Sequence, residues 1–395
     1  MKKNILIIIS FAIVALCIVA FVHGKDTISF YDTEEAQETI SDESIVIGFS
    51  QLGAESDWRS ANTESMKTTF SAENGYELLF EDGQQKQSNQ ITAIRTFIQQ
   101  EVDYIVLAPV TETGWDTVLQ EAKDAGVPVI IVDRMVDVSD DTLFTCWVGS
   151  DFELEGKKAA GWLEQYLAKK EIATEDIHIV NIQGTIGASA QIGRTKSLEE
   201  AAEKNGWDLL AEVPGDFTQA KGREVMKELL CQYENINVVY CENDNEAFGA
   251  IEAIEGAGKT VGSNIDKGEI MVISFDGVKE KAMTYVLDGK ISCIAECNPL
   301  QGPRVQAIIN LLERGGTPDK FYYVDEGFFS ADETVEKVTV DGKEYEVTLL
   351  TQEIIDERKN EFFEEFRNIY SDWKVELTSH AVHATVPEYA SEQVA

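Results

Sequence analysis

Polar side chains stand where apolar runs of this chain break off. Ser50 follows Ile45-Val46-Ile47-Gly48-Phe49, Asp82 follows Tyr76 to Glu81, Asp133 and Arg134 follow Val127-Pro128-Val129-Ile130-Ile131-Val132, and Asp276 follows Ile270 to Phe275. Asn243 comes just after the run Ile236 to Tyr240. Carboxylates accept hydroxyl protons, a guanidinium offers a planar fork of donors, and an amide does both, so the set suits a small polyol. One Asp-Arg pair alone reads more readily as a strand-end salt bridge. A series of such exits on similar runs favours a binding site.

The runs that deliver these residues read as buried parallel strands, whose interiors are uninterrupted Val and Ile because helices cover both faces. From Ser44 onward, strand and helix alternate: Ile45 to Ser50, a helix near Asn62 to Asn74, a strand Tyr76 to Phe80, a helix from about Ser88 to Gln100, a strand Tyr104 to Leu107, a helix Trp115 to Ala125, and the strand that ends at Asp133. The second half repeats the grammar with strands at Ile177 to Ile182, Ile236 to Tyr240 and Ile270 to Phe275. Lys204-Asn205-Gly206-Trp207-Asp208-Leu209-Leu210 echoes Glu73-Asn74-Gly75-Tyr76-Glu77-Leu78-Leu79. Two doubly wound α/β lobes follow, with the polar residues at the carboxyl ends of their strands, where open sheets bind ligands.

Composition narrows the partners. A formal charge of −38, from 71 acids and 33 bases, lacks the Lys and Arg clusters that phosphate binding needs, which argues against nucleic acid. Four scattered histidines and no EF-hand spacing give no metal site, and Gly184-Thr185-Ile186-Gly187 lacks the three-glycine dinucleotide fingerprint, so no cofactor is expected. Lys2 and Lys3 precede an apolar segment from Ile5 to Val22, which reads as an export signal or a retained membrane anchor. Lys25 to Ser44 is polar and acid-rich and reads as a tether. Beyond the leader, Cys146, Cys231, Cys241, Cys293 and Cys297 are odd in number, so at least one has no partner within the chain.

Several motifs together carry a family resemblance: Gly48-Phe49-Ser50-Gln51 with Glu55-Ser56-Asp57-Trp58-Arg59; Asp82-Gly83-Gln84-Gln85-Lys86-Gln87; Ala108-Pro109-Val110 with Thr113-Gly114-Trp115; Asp133-Arg134; Gln183 to Ser189 with Arg194; and Asn243-Asp244. Over about Ile45 to Ser330 the chain resembles the periplasmic sugar-binding proteins of ABC importers, in the ribose- and galactose-binding class, and within it the galactofuranose-binding type. The resemblance implies the type I periplasmic binding protein fold, with a multi-strand hinge between a lobe of residues 45–150 plus 297–327 and a lobe of residues 151–296 plus 328–355. Residues 1–24 would be signal peptide or anchor, 25–44 linker, and 356–395 a C-terminal helix and tail. A monomer would bind a monosaccharide between the lobes and present it to permease and ATPase subunits, or to a membrane receptor.

The same resemblance places Asp133, Arg134, Arg194, Asn243 and Asp276 on the sugar hydroxyls, with Glu296 delivered by a chain crossover. Trp58 would lie against the ring or pack in the core, Arg59 would donate beside it, and Ser50, Asp82 and Gln84 complete the candidate set. Asp133, Asp276 and Glu296 could in principle supply the two carboxyls of a glycosidase. Arg134 and Arg194 are expected to hold those carboxylates ionised, against the neutral acid that hydrolysis needs, so a binding protein is expected rather than an enzyme. After Ser330, Lys337 to Val347 predicts a hairpin on Asp341-Gly342, and Thr351 a capped helix with Ile355, Phe362, Phe366 and Ile369 on one face.

Overall fold

The computed structural model describes residues 44–278 and 280–358; the apolar leader, its linker and the chain beyond 358 lie outside the described residues. In the first half, β1 (Ile45–Gln51), α1 (Asp57–Thr69), β2 (Tyr76–Asp82), α2 (Gln87–Gln99), β3 (Tyr104–Leu107), α3 (Asp116–Ala125) and β4 (Val129–Val132) alternate as expected, and β5 (Cys146–Gly149), a strand the sequence did not suggest, follows β4 with no α-helix between. The second half runs α4 (Phe152–Lys169), β6 (His178–Gln183), α5 (Ser189–Asn205), β7 (Asp208–Pro214), α6 (Gln219–Gln232), β8 (Val238–Cys241), α7 (Asp244–Gly256), β9 (Met271–Asp276), α8 (Glu280–Leu287) and β10 (Cys293–Glu296). The pattern is legible because both faces of each central strand are apolar. Val129 and Ile131 of β4 enter one core cluster and Ile130 and Val132 the other, so a helix layer covers each face.

The chain passes between the two sheets three times. After β5 it leaves the first sheet at Ser150, and after β10 it returns through 297–301 to α9 (Gly302–Glu313) and β11 (Phe321–Tyr323), which pairs with β5. It then crosses back to β12 (Phe328–Ser330), antiparallel to β10. The strand orders are β11-β5-β4-β3-β1-β2 in the first sheet and, with β15 (Thr348–Leu349) at its edge, β15-β12-β10-β9-β8-β6-β7 in the second. This is an α/β fold of two parallel-sheet lobes. The predicted hairpin is β13 (Lys337–Val340) with β14 (Lys343–Glu346), turning on Asp341 and Gly342 at φ 50° and 79°. Both residues take the left-handed region that such a tight turn requires.

The first helix, expected near Asn62 to Asn74, is displaced at both ends and spans Asp57–Thr69. It starts at Asp57, five residues before Asn62, because Ser56 caps it by accepting from the Arg59 N–H at 3.1 Å. That shift puts Trp58 and Arg59 in the first helical turn. Helix α9 then fixes the direction of α1. Asn62 donates to the Pro299 carbonyl at 3.0 Å, and a Cβ on Gly302 would stand 2.5 Å from the Ser65 carbonyl, so only glycine permits this approach.

Candidate functional site

Arg59 is the centre of the first lobe's polar group. Its Nε donates to Glu55 Oε1 at 3.2 Å, one Nη to Gln51 Oε1 at 3.3 Å and the other to Asp133 Oδ2 at 2.5 Å. Arg134 lies beside it, donating to the Val110 carbonyl at 2.9 Å, with Glu55 Oε1 3.5 Å away. All four charged side chains are buried. Burial together with the Arg59 charge brings Arg134 down to about 10, while Glu55 and Asp133 oppose that fall. Among the described residues Glu55 Oε2 has no hydrogen-bond partner, although the side chain is only 1% exposed. A carboxylate oxygen left this way costs stability until a donor reaches it.

The second lobe answers with Arg194. Its guanidinium holds Glu155 Oε2 from Nε at 2.8 Å and Nη2 at 2.7 Å, donates to the Glu242 carbonyl, and reaches Asp276 Oδ1 at 3.4 Å. It also stacks 4.6 Å over the ring of Phe275. Asp133 and Asp276 occupy corresponding places, each at the end of its strand with φ of 62° and 92°. Outside glycine such backbone is uncommon, and Asp is among the residues that visit it, so each carboxylate is aimed by a deliberate kink at the sheet edge.

Aromatic faces close the site. Trp58, Phe152, Ala188, Ala190, Phe217 and Cys297 share one apolar cluster, and the Trp58 indole N–H donates to the Cys297 carbonyl at 2.7 Å. Arg134 stacks 5.1 Å from the centre of Phe217 in the opposite lobe. Direct bonds join the rims: Met135 N–H to Ser189 Oγ at 2.9 Å, Glu112 N–H to the Gly187 carbonyl at 3.0 Å, and Asp57 N–H to Asn245 Oδ1 at 3.0 Å. The lobes are therefore shut on one another. In this closed state burial raises the Asp276 carboxyl, and Asp133 across the contact adds to that rise.

The structure brings some of the candidates from the sequence together and not others. Trp58, Arg59, Asp133, Arg134, Arg194 and Asp276 come together at the lobe contact. Asn243 is buried nearby, but its amide is engaged within its own lobe: Oδ1 caps α7 by accepting from the Glu246 N–H at 2.8 Å, and Nδ2 donates to the Phe217 carbonyl at 3.1 Å. Ser50 is fully buried with its hydroxyl unpartnered. Asp82 at the end of the edge strand and Gln84 in the turn after it are exposed, and the Asp82 carboxylate accepts from the Gln84 N–H at 2.8 Å. Glu296 faces the crossings, with Oε2 accepting from the Gly327 N–H at 2.8 Å and Oε1 paired with Arg358 at 2.7 Å.

The sequence reading missed Glu55, Glu155, Phe152 and Phe217 as site residues. Glu55 precedes Arg59 by four residues, just ahead of the helix cap, a spacing that could have marked it as a partner. Of the acids that the arginines were expected to hold ionised, Asp276 is pushed the other way, as is Glu155 beside it. Burial lifts Asp276 to about 6 and Glu155 to about 7, outweighing the pull of Arg194. Arg194 itself stands well above its ordinary value: burial works against its charge, and Glu155 and Asp276 prevail. Glu155, Cys297 and Glu326 bring ligand-type atoms within 4.8 Å of one another. Arg194 and the Lys158 ammonium, which donates to the Glu326 carbonyl at 3.0 Å, already supply positive charge there, which disfavours a metal cation.

Two lobes on a three-strand hinge, with paired arginines and acids meeting between them, define a binding protein that closes on its ligand. Residues 47–307 match the periplasmic binding protein domain, and the chain belongs to that family. It is 39% identical over 302 residues to the galactofuranose-binding protein YtfQ of Escherichia coli K12, covering 74% of this chain and 90% of that protein. A crystal structure from Mycobacterium smegmatis in complex with β-D-fucofuranose is 39% identical, with a TM-score of 0.69, over 74% of this chain and 93% of that one. The periplasmic binding protein of the arabinose ABC transporter from Shewanella sp. ANA-3, bound to α- and β-L-arabinofuranose, is 34% identical with a TM-score of 0.67, over 86% and 99% of the two chains.

Proposed function

We propose that this protein is the extracytoplasmic substrate-binding component of a sugar ABC importer, capturing a galactofuranose- or galactose-like monosaccharide between its lobes without chemical change. The observation that carries this reading is the opposition of Arg59, Asp133 and Arg134 in one lobe to Arg194 and Asp276 in the other, across the rings of Trp58 and Phe217. Charged acceptors and donors bind neutral hydroxyls more strongly than neutral groups do, and each one left unpaired in a closed cleft penalises the wrong stereochemistry. Aromatic faces take the apolar side of a sugar ring. Glu55 joins this set through its unpartnered oxygen, and Asn243 holds Phe217 in place.

The working halves in this proposal are residues 45–150 plus 297–327 and residues 151–296 plus 328–355. Hinge closure is a known motion of periplasmic binding proteins, and here an open molecule would offer each sugar only one lobe's groups. The apolar segment Ile5 to Val22 would tether the protein outside the cell membrane, and permease and ATPase subunits would receive the sugar. Relatives named for binding sugars support a non-enzymatic role, while the raised Asp276 and Glu155 give the glycosidase reading its one supporting observation. Calorimetry with D-galactose, D-fucose and L-arabinose, together with release of aryl alcohol from aryl glycosides, separates the two. Heat of binding with no turnover is expected; turnover, or no binding to any sugar, would defeat the proposal.

A further inference from the structure

The chain beyond the family match returns to the hinge. Leu350 and Ile355 are buried in the core of the second lobe together with Phe329 of β12, and the helical turn that begins after Thr351 carries Arg358 across the ends of β10 and β12. There its guanidinium pairs with Glu296 Oε1 at 2.7 Å and stacks 4.8 Å from the centre of the Phe329 ring. Glu296 is the last residue of β10, the point where the second crossing begins, and its other oxygen takes the Gly327 N–H of the third crossing. The two crossings are also joined by the Glu296 N–H on the Gly327 carbonyl at 3.0 Å. A Cβ on Gly327 would meet Glu296 Oε2 at 3.0 Å and the Phe329 ring at 2.9 Å, so the junction is packed as well as bonded. Glu296 stands in register with Asp276, and the next N–H, that of Cys297, donates to the Asp276 carbonyl at 3.1 Å.

We propose that the C-terminal segment is a strap on the hinge: Arg358, by holding Glu296, fastens the second crossing to the third and restrains the rotation that opens the lobes. The pair is largely buried, with side chains 19% and 12% exposed, so water competes weakly for it. Glu296 is thereby committed to the hinge and not to a ligand. Opening swings the first lobe about residues 297–301 and 324–327, and both ends of that axis are held by one carboxylate whose position depends on Arg358. The inference rests on the fold and these contacts, and it does not require the ligand to be a sugar.

The test reads the lobe separation directly. In the full chain with Cys17→Ser and Gln99→Cys, spin labels on the exposed positions 99 and 231 report one distance across the lobes, because the other cysteines are buried. In sugar-free protein, Arg358→Gln should lengthen and broaden that distance distribution. Glu296→Gln should do the same, and the double variant should go no further than either single one, as for two halves of one contact. Affinity for D-galactose should fall about 3- to 10-fold in each variant and no further in the double, the scale of losing one partly buried charged contact. An unchanged or shortened distance in Arg358→Gln overturns the strap, and so do additive effects of the two substitutions. Glu296→Gln weakening galactose binding while Arg358→Gln leaves distance and affinity at parent values also overturns it, because Glu296 would then serve the ligand. A parent that binds no galactose counts against the proposed function and leaves the distance measurement to decide the strap.

Discussion

Replacing Asp276 by Ala should separate binding from folding. The Asp276 side chain is 7% exposed and reaches Arg194 at 3.4 Å, but Arg194 keeps Glu155 at 2.7 and 2.8 Å, the Glu242 carbonyl and the Phe275 face. The substitution therefore leaves no bare guanidinium, and the folding cost should stay within about 1 kcal/mol, the scale of one ordinary hydrogen bond. Binding is different, because sugar hydroxyls aimed at Asp276 would lose a buried charged acceptor. That loss is worth roughly 2 to 5 kcal/mol, or about 30-fold to several thousand-fold in Kd at about 1.4 kcal/mol per tenfold. Calorimetry with D-galactose gives the affinity, urea unfolding the stability, and small-angle scattering the contraction on adding sugar. A variant that binds and contracts like the parent would show that the second lobe does not grip the ligand, and the assignment of the cleft would be wrong.

Other outcomes follow from the same geometry. Gly184→Ala should weaken sugar binding at least tenfold, because its Cβ would stand 1.9 Å from the Phe217 ring and push that ring off the cleft; titration of intrinsic fluorescence checks it. The pH dependence has a definite sign. Asp276 is raised to about 6, so the stability from its protonation is present below about pH 4 and lost as pH rises through 6. The melting temperature of the sugar-free protein should therefore fall between about pH 4 and 7, and Asp276→Asn should reduce that fall; an unchanged slope would show that Asp276 is not the titrating group.

Local signals made much of the architecture readable. An apolar run with no polar interruption, such as Val129 to Val132, has few alternatives to a strand covered on both faces, and Asp341-Gly342 could only turn a hairpin. The acids at the ends of β4 and β9 were visible for the same reason. What stayed hidden depends on distant partners. Glu296 looked available to a ligand because Arg358, 62 residues away, carries no local mark of the pairing. Asp82 looked equivalent to Asp133 because the order of strands, which puts β2 at the sheet edge, is not written in any single strand. Phe217 gives no sequence sign that Arg134 stacks on it, since two lobes must first close.

The three crossings also set a schedule for synthesis. The first sheet is not finished until β11 takes its place beside β5, and α9 must arrive before Val305, Ile308 and Ile309 can cover Met66 and Phe70. Those pieces leave the ribosome about 170 residues after Ser150, by subtraction from Phe321, whereas most of the second lobe is emitted in between. At about 5 to 20 residues per second, the first lobe waits roughly 10 to 30 s with part of its apolar face bare. During that interval the chain depends on whatever shields nascent surfaces, and the first lobe completes only after most of the second has been made.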